Sequence, residues 1–268
     1  MKPKLPPRTA AKPVNRPLDL PTIAAPDLPD LAETWQQTLQ WQPNAIQQQQ
    51  FQQLYAAVLA GNQRLNLTRI TEPTEFWEKH LWDSLYGIQP YLAAPSQLAA
   101  FSVIDIGSGA GFPGVPVAIA RPDWQVTLLE ATHKKGKFLQ YLVTLLGLDL
   151  TRPVVERAEV LGQAANERGH YDLALIRAVA PPTVCAEYTL PFLKPGGVAI
   201  LYRGQLTEAE AKTLEQVVTQ LGGKVETVRA GTTPLTGGER HCLYLRKVSQ
   251  TPDQFPRAVG IPTHNPLC

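Results

Sequence analysis

The stretch IDIGSGAGFPG, residues 104–114, places four glycines within eleven positions directly after an apolar run. Glycine permits positive φ angles and lets a ligand approach the backbone closely. The pattern is therefore typical of a turn between a strand and a helix that binds a nucleoside cofactor. Residues 107–111 fit the G-x-G-x-G turn of S-adenosylmethionine (AdoMet) sites, and residues 109–114 fit the G-x-G-x-x-G of dinucleotide sites. The loop alone leaves both cofactors open.

Seven short runs rich in β-forming residues lie between residues 102 and 248. The first five alternate with helix-like stretches, whereas the last two are joined by a loop. This order predicts an α/β fold with a parallel sheet, helices on both faces and an antiparallel ending. Its strand count is that of the Rossmann-like, class I AdoMet-dependent methyltransferases. The runs are SVIDI, WQVTLLE, RPVVER, YDLALIR, GGVAILY, GKVETVRA and HCLYLRKV.

Composition divides the chain into four predicted segments. Residues 1–30 contain eight prolines, and five basic residues precede the first acid, which predicts a disordered basic leader. Residues 31–92 have helical periodicity and predict an N-terminal helical cap. Residues 93–250 hold the predicted methyltransferase core, and residues 251–268 form a C-terminal tail.

Three helices have clear boundary signals. One lies between Pro43 and Gly61, and a second runs from about Thr74 to Tyr86. The last helix begins at Thr207 with a capping box to Glu210, and it ends at Gly222. The first of these helices is also indicated by an apolar stripe at i, i+3, i+4 and i+7, which comprises Phe51, Leu54, Tyr55 and Val58.

The position of the glycines relative to the strands favours AdoMet over a dinucleotide. Gly107 follows the first strand directly, whereas Gly109 comes two residues later. Asp105 fits the acid that orders such a glycine loop, although it could equally pair with local amides. Glu130 ends the second strand, where a carboxylate can accept the ribose hydroxyls of either cofactor. The turn KPGG, residues 194–197, commonly precedes the fifth strand of methyltransferases.

Charge and cysteine content exclude few partners. A net charge of +2 with 18% charged residues allows a nucleic-acid partner without requiring one. Cys185, Cys242 and Cys268 are far apart, which predicts reduced thiols and no structural metal. No apolar stretch approaches the roughly 18 residues of a membrane span. We therefore expect a cytoplasmic protein, and we expect it to be monomeric.

Several motifs, taken in order, resemble those of one family. They are NLT at 66–68, KHLWDSL at 79–85, GSGAGFPGVPVAI, RAVA at 177–180, GGERHCL and the tail FPRAVGIPTHNPL. The chain resembles the bacterial small-subunit (16S) ribosomal RNA guanine-N7 methyltransferases of the glucose-inhibited division protein B type, over about residues 50–267. The resemblance implies methyl transfer from AdoMet to guanine N7 in 16S ribosomal RNA, presented as free RNA, as a small subunit or as an assembly intermediate.

The residue chemistry is compatible with an N7 target. Methylation at pyrimidine C5 needs a cysteine nucleophile, and no cysteine is expected at the mouth of the sheet. Methylation of an exocyclic amine usually shows a polar residue, two prolines and an aromatic, whereas residues 180–183 read APPT. Guanine N7 carries its own lone pair, so alignment and charge stabilisation suffice without a general base.

The resemblance also implies site residues. Arg177 would end the fourth strand between the cofactor and the target base as a positioning residue, although a structural ion pair is the alternative. The implied cofactor contacts are Gly107, Gly109, Phe112, Glu130, Ala131, Thr132, Ala158, Glu159 and Arg177.

Four residues are implied to contact RNA, namely His80, Arg157, Arg203 and Arg240. Each arginine could equally lie on an ordinary solvated surface. His80 could form a structural pair with Asp83, or it could seat the cap against the glycine loop. The alternatives to the implied function are an AdoMet-dependent methyltransferase with another RNA or a small-molecule substrate, and a non-catalytic RNA-binding protein that keeps a vestigial AdoMet fold.

Overall fold

The computed structural model describes Leu18, Leu20, Pro21 and residues 23–93 and 101–268. Most of the predicted leader, residues 1–30, therefore lies outside the described residues. The cap is helical, as predicted. Its elements are α1 (Ala32–Leu39), α2 (Ala45–Leu65), α3 (Pro73–Phe76), a π-helical segment (Trp77–Trp82), α4 (Asp83–Tyr86) and α5 (Gln89–Leu92).

Helix α2 continues past Gly61, so the predicted end of this helix was wrong. It begins with a capping box between Asn44 and Gln47 and ends at Leu65, followed by the C-cap residue Asn66 with a φ of 48°. A Cβ atom on Gly61 would lie 2.6 Å from the ring of Phe138. The glycine therefore permits close helix packing and does not end the helix.

The seven predicted strands form one sheet in the order β3-β2-β1-β4-β5-β7-β6. Strands β1 to β5 are parallel, and β7 runs antiparallel to both β5 and β6, as predicted. The strand order reverses between β1 and β4, and this switch point is where doubly wound sheets bind ligands. The strands are β1 (Ser102–Ile106), β2 (Gln125–Glu130), β3 (Thr151–Val155), β4 (Tyr171–Arg177), β5 (Leu193–Arg203), β6 (Gly223–Thr232) and β7 (Glu239–Lys247).

Helices connect the parallel strands. The capping box of α10 and its end near Gly222 are confirmed. The stretch EVLGQAANERG is helical only in α8, so the predicted longer helix was wrong. The KPGG residues lie inside β5 and do not form a separate turn before it. The helices are α6 (Gly114–Ala120), α7 (His133–Leu145), α8 (Ala158–Leu161), α9 (Pro182–Thr189), α10 (Glu208–Gln220) and α11 (Ile261–His264).

Two hydrophobic clusters cover the two faces of the sheet. Alternate residues of β1 divide between them, with Val103 in one cluster and Ile104 in the other. The first cluster also contains Trp77 and Trp82 from the cap. Because the cap packs directly on the sheet, its π-helical segment lies beside the carboxyl ends of β1 and β4. In the described ranges, no helix is long and apolar enough to cross a membrane.

Candidate functional site

The glycine loop follows β1 at the switch point. Gly107 and Gly109 have φ angles of 72° and 61°, a region in which side chains other than glycine are strained. The amide of Gly107 donates to the carbonyl of Leu129 at 2.9 Å. The loop is thereby held against the end of β2.

Glu130 connects the loops that follow β1 and β2. Its Oε2 accepts from the Gly109 amide at 3.0 Å, and its Oε1 accepts from the Thr132 amide at 2.8 Å. The residue is only 7% exposed. A carboxylate offers about four acceptor positions, so each oxygen can still accept one ribose hydroxyl.

Asp105 orders the glycine loop from beneath. Its Oδ2 accepts from the Gly114 amide at 2.9 Å. Burial raises the pKa of Asp105 to about 6, against the lowering influence of Ser108 and the Gly114 amide. Because Asp105 and Ser108 are almost fully buried, both side chains support the loop from beneath.

A cavity of about 210 Å³, the glycine-loop cavity, opens beside this loop. It is smaller than the roughly 300–1,000 Å³ of sites that enclose a whole ligand, so it fits a nucleoside part. The cavity brings together four of the predicted cofactor contacts, Gly107, Ala131, Ala158 and Glu159. Its other lining residues include Ile106, Leu129, Glu156, Arg157, Val179, Tyr188 and Thr263.

A second cavity of about 430 Å³, the arginine cavity, lies where the cap meets the ends of β4, β5 and β7. Four of its twelve lining residues are cationic and one is acidic, so the cavity can receive an anionic or acceptor-rich ligand. It brings together Arg177 and three of the four predicted RNA contacts. The lining residues are Ile70, Lys79, His80, Asp83, Arg177, Ala178, Tyr202, Arg203, Gly204, Arg240, His241 and Cys242.

Arg177 is held by the cap. Its Nη1 donates to Asp83 Oδ2 and to the carbonyl of Lys79, each at 2.8 Å. Its Nη2 donates to His80 Nδ1 at 3.2 Å. Asp83 Oδ1 accepts from Arg240 Nε at 2.8 Å, so one carboxylate orients two arginines of the cavity wall.

His80 is neutral in this environment. Burial and the nearby Arg177 lower the pKa of His80 to about 3. Because Nδ1 accepts from Arg177, we assign the proton to Nε2, which donates to Thr68 Oγ1 at 2.9 Å. The imidazole stacks on Phe112 with ring centroids 4.3 Å apart and planes 5° apart. His80 therefore contacts both the cap and the residue that follows the glycine loop, and its predicted role in RNA binding stays a prediction.

Comparison with known proteins identifies the family. The model of the family described as rRNA small subunit methyltransferase G matches residues 47–243. A protein of that name from Trichormus variabilis is 58% identical, with 90% of this chain and 98% of the relative covered. A second from Synechococcus elongatus is 55% identical, with 87% and 95% covered.

The chain belongs to the rRNA small subunit methyltransferase G family. This finding confirms the predicted class of enzyme, an AdoMet-dependent methyltransferase. Among solved structures, a variant of the branched-chain polyamine synthase from Thermus thermophilus has a TM-score of 0.50 at 12% identity, with 63% of this chain and 56% of that chain covered. That likeness concerns the fold alone.

Two of the residues predicted from the family resemblance lie apart from their expected neighbours. Arg157 lines the glycine-loop cavity and pairs with Glu159 at 3.2 Å, so it is separated from the other predicted RNA contacts. Phe112 is buried, and its ring contacts His80, Phe76 and Arg177. It therefore supports the glycine loop from the side of the cap.

The arginine cavity contains residues that sequence reasoning missed. Tyr202 pairs with Cys242 where β5 meets β7, and His241 pairs with Arg203 one position further along. The expectation that no cysteine lies at the sheet mouth was wrong, because the antiparallel β7 brings its first residues to that edge. Burial and the nearby Asp83 raise the pKa of Cys242 far above its usual value. Its thiol is therefore a poor nucleophile.

No group of three or more His, Cys, Asp or Glu residues in the described ranges could hold a metal ion. The ion pairs of the site join arginines to carboxylates, and these carboxylates already accept several N–H donors. The two cavities therefore offer hydrogen-bonding and cationic surfaces for organic and phosphate groups.

Proposed function

We propose that this chain transfers the methyl group of AdoMet to N7 of a guanine in 16S ribosomal RNA. The observation that carries the proposal is the pair of neighbouring cavities at the end of β4, one beside the glycine loop and one at the cap, in a member of an rRNA methyltransferase family. One cavity has the residues for a nucleoside, and the other has the cations for an RNA base and its phosphates. The predicted alternatives, another substrate class or a non-catalytic RNA-binding protein, are not favoured.

The proposed cofactor contacts lie in the wall of the glycine-loop cavity and, for Glu130 and Gly109, next to that wall. Glu130 accepts the ribose hydroxyls, Ala158 and Glu159 contact the adenine, and the loop from Gly107 to Gly111 lies against the methionine part. The residues present fit AdoMet, because the buried carboxylates of Glu130 and Glu159 are hydrogen-bond acceptors for its hydroxyl and amine groups, and the glycine loop has no side chains at Gly107 and Gly109. When bound, AdoMet supplies an electrophilic methyl group on its sulfonium.

The arginine cavity holds the target guanine. Arg203 and Arg240 offer N–H donors to the guanine O6 or to flanking phosphates, in addition to the bonds that they make to Glu210 and Asp83. Asp83 and His80 hold the guanidinium of Arg177 in place, and Arg177 forms part of the cavity wall. N7 has no proton to lose, so the site needs no general base. The neutral His80, already engaged on both ring nitrogens, fits that requirement.

The proposal includes a monomeric, cytoplasmic enzyme that acts on 16S ribosomal RNA, as free RNA or within a small subunit or assembly intermediate. The division into leader, cap, core and tail stays a prediction.

The decisive experiment is methyl transfer from labelled AdoMet to 16S ribosomal RNA and to small subunits, followed by borohydride–aniline cleavage, which cuts RNA at 7-methylguanosine. We expect a single cleavage in RNA treated with the enzyme. Methyl incorporation that leaves the RNA resistant to cleavage would refute N7 as the target. Methyl transfer only to another substrate would refute the substrate class.

A further inference from the structure

The C-terminal tail is held to the core by polar contacts. Arg168 donates to the carbonyl of Phe255 at 2.6 Å and to the carbonyl of Thr251 at 2.7 Å. Arg257 forms a two-pronged pair with the fully buried Glu187, whose shortest bond is 2.7 Å. The tail therefore has a defined place on the surface formed by α8 and α9. It lies beyond residue 243, where the family match ends.

The end of this tail reaches the glycine-loop cavity. Thr263 lines the cavity, and the amide of Gly260 donates to Oε1 of Glu159 at 3.0 Å. The same oxygen accepts from the hydroxyl of Tyr188 and from Nη2 of Arg157, each at 3.2 Å. Three donors thus converge on a single oxygen of one buried carboxylate.

We propose that the C-terminal tail makes Glu159 selective for adenine, by holding Oε1 so that Oε2 is the acceptor presented to the 6-amino group of the cofactor. The inference rests on the proposed function, because it assumes that the cavity receives the adenine of AdoMet. None of the cofactor contacts that were predicted from the sequence lies in the tail. Gly260 and Thr263 become part of the cofactor site, and Tyr188 and Arg157 support the same orientation.

The expected selectivity for adenine follows from which groups donate hydrogen bonds and which accept them. A carboxylate oxygen has about two lone pairs, so three donors leave Oε1 no capacity for a further one. Although burial alone would raise the pKa of Glu159, the Gly260 amide and Arg157 lower it below its usual value. The carboxylate is therefore ionised and can only accept. An adenine 6-amine donates to it, whereas the 6-oxo group of hypoxanthine meets it acceptor to acceptor.

The test compares the binding of S-adenosylhomocysteine with that of its 6-oxo analogue, S-inosylhomocysteine, by titration calorimetry on the full chain. We expect the wild type to prefer the adenosyl ligand by about 10- to 100-fold, the scale of one buried hydrogen bond to a charged group. Glu159→Gln should reverse the preference. The three donors would hold the amide oxygen in the place of Oε1, and the amide nitrogen would then donate to the 6-oxo group.

Removal of residues 258–268 isolates the role of the tail, because it deletes Gly260 and Thr263 and keeps the pair between Arg257 and Glu187. The adenosyl ligand should lose about 10-fold in affinity while the inosyl ligand changes by less than about 3-fold. Glu159→Gln in the shortened chain should lose its reversed preference, because the amide can then rotate. Removal of the exposed Cys268 alone is the matched control and should change neither affinity.

The outcomes separate the two proposals. If the wild type does not bind S-adenosylhomocysteine, the proposed cofactor is wrong. If it binds both ligands equally, or if Glu159→Gln keeps the preference for the adenosyl ligand, the cofactor assignment stands and the orienting role is wrong. If the folded shortened chain keeps the wild-type affinity for the adenosyl ligand, the tail does not orient Glu159, and Tyr188 and Arg157 suffice.

Discussion

Arg177 and Asp83 form a 2.8 Å ion pair although 94 residues separate them in the sequence. Arg177 ends a core strand, and Asp83 begins a helix of the cap. The pair therefore joins the two predicted parts of the chain at the wall of the arginine cavity. The carboxylate also holds Arg240, so the orientation of two cavity arginines depends on one acidic residue.

Asp83→Asn should lower the free energy of unfolding by roughly 1–3 kcal/mol. The estimate lies below the usual cost of breaking a fully buried pair because both arginines keep some exposure. Urea denaturation measures the loss. Glu226→Gln is the control, since its pair with Arg246 is about one-third exposed and should contribute under about 1 kcal/mol. Equal losses in the two variants would contradict a stabilising role for Asp83.

Arg177→Ala should reduce the rate of methyl transfer by an amount equivalent to roughly 2–4 kcal/mol of transition-state stabilisation. Arg177→Lys should restore little, because a single ammonium cannot bind Asp83, the Lys79 carbonyl and His80 in the fork geometry of the guanidinium. Borohydride–aniline cleavage of treated RNA measures the product, and binding of S-adenosylhomocysteine confirms a folded cofactor site. A folded alanine variant with wild-type turnover would remove Arg177 from the site.

His80 should make the folded state less stable in acid. Its pKa is about 3 in the folded state and about 6.5 when unfolded, so the unfolded state binds the proton first as the pH falls. The stabilisation from the neutral imidazole is complete above about pH 6.5. It is lost between about pH 6.5 and pH 3, with a slope of at most about 1.4 kcal/mol per pH unit.

The measurement is the difference in unfolding free energy between the wild type and His80→Gln at several pH values. Taking the difference removes the opposing effect of Asp105, whose raised pKa favours the folded state at low pH. A difference that does not change between pH 6.5 and pH 4 would show that His80 is not buried in the neutral form.

Gly109→Val should abolish AdoMet binding and leave the fold intact. Valine at a φ of 61° costs roughly 1–2 kcal/mol, and its side chain would occupy the ligand's approach to the loop. Gly147→Val is the matched control, because Gly147 has a φ of 63° and nothing within 4 Å of an added Cβ. Both variants should lose similar stability by thermal melting. Unchanged AdoMet affinity in folded Gly109→Val would place the cofactor elsewhere.

The strands and the glycine loop could be predicted from the sequence because their signals are local. A β-rich run followed at once by Gly107 is enough to place a turn at the carboxyl end of β1. Gly61 shows the limit of such signals. A glycine is needed there because the ring of Phe138, in a helix far away in the sequence, packs against it. A single sequence does not indicate which element will pack against a glycine.

From the sequence, individual site residues were proposed only where family motifs marked them. His80 and Arg177 were named individually, but nothing local showed that they would share a hydrogen bond. The contact between Gly260 and Glu159 spans 101 residues and depends on how the tail crosses α8 and α9. Cys242 reached the cavity because of strand direction, which sequence composition does not report. These parts of the site follow from tertiary packing.

Glu130 preorganises the proposed cofactor site through two hydrogen bonds that act together. By holding the amides of Gly109 and Thr132 at once, it fixes the two loops that flank the proposed ribose position before any ligand arrives. The conformational entropy of those loops is therefore lost during folding and not during binding. Preorganisation of this kind favours rapid capture of the nucleoside, with little rearrangement of the backbone between the free and the bound enzyme.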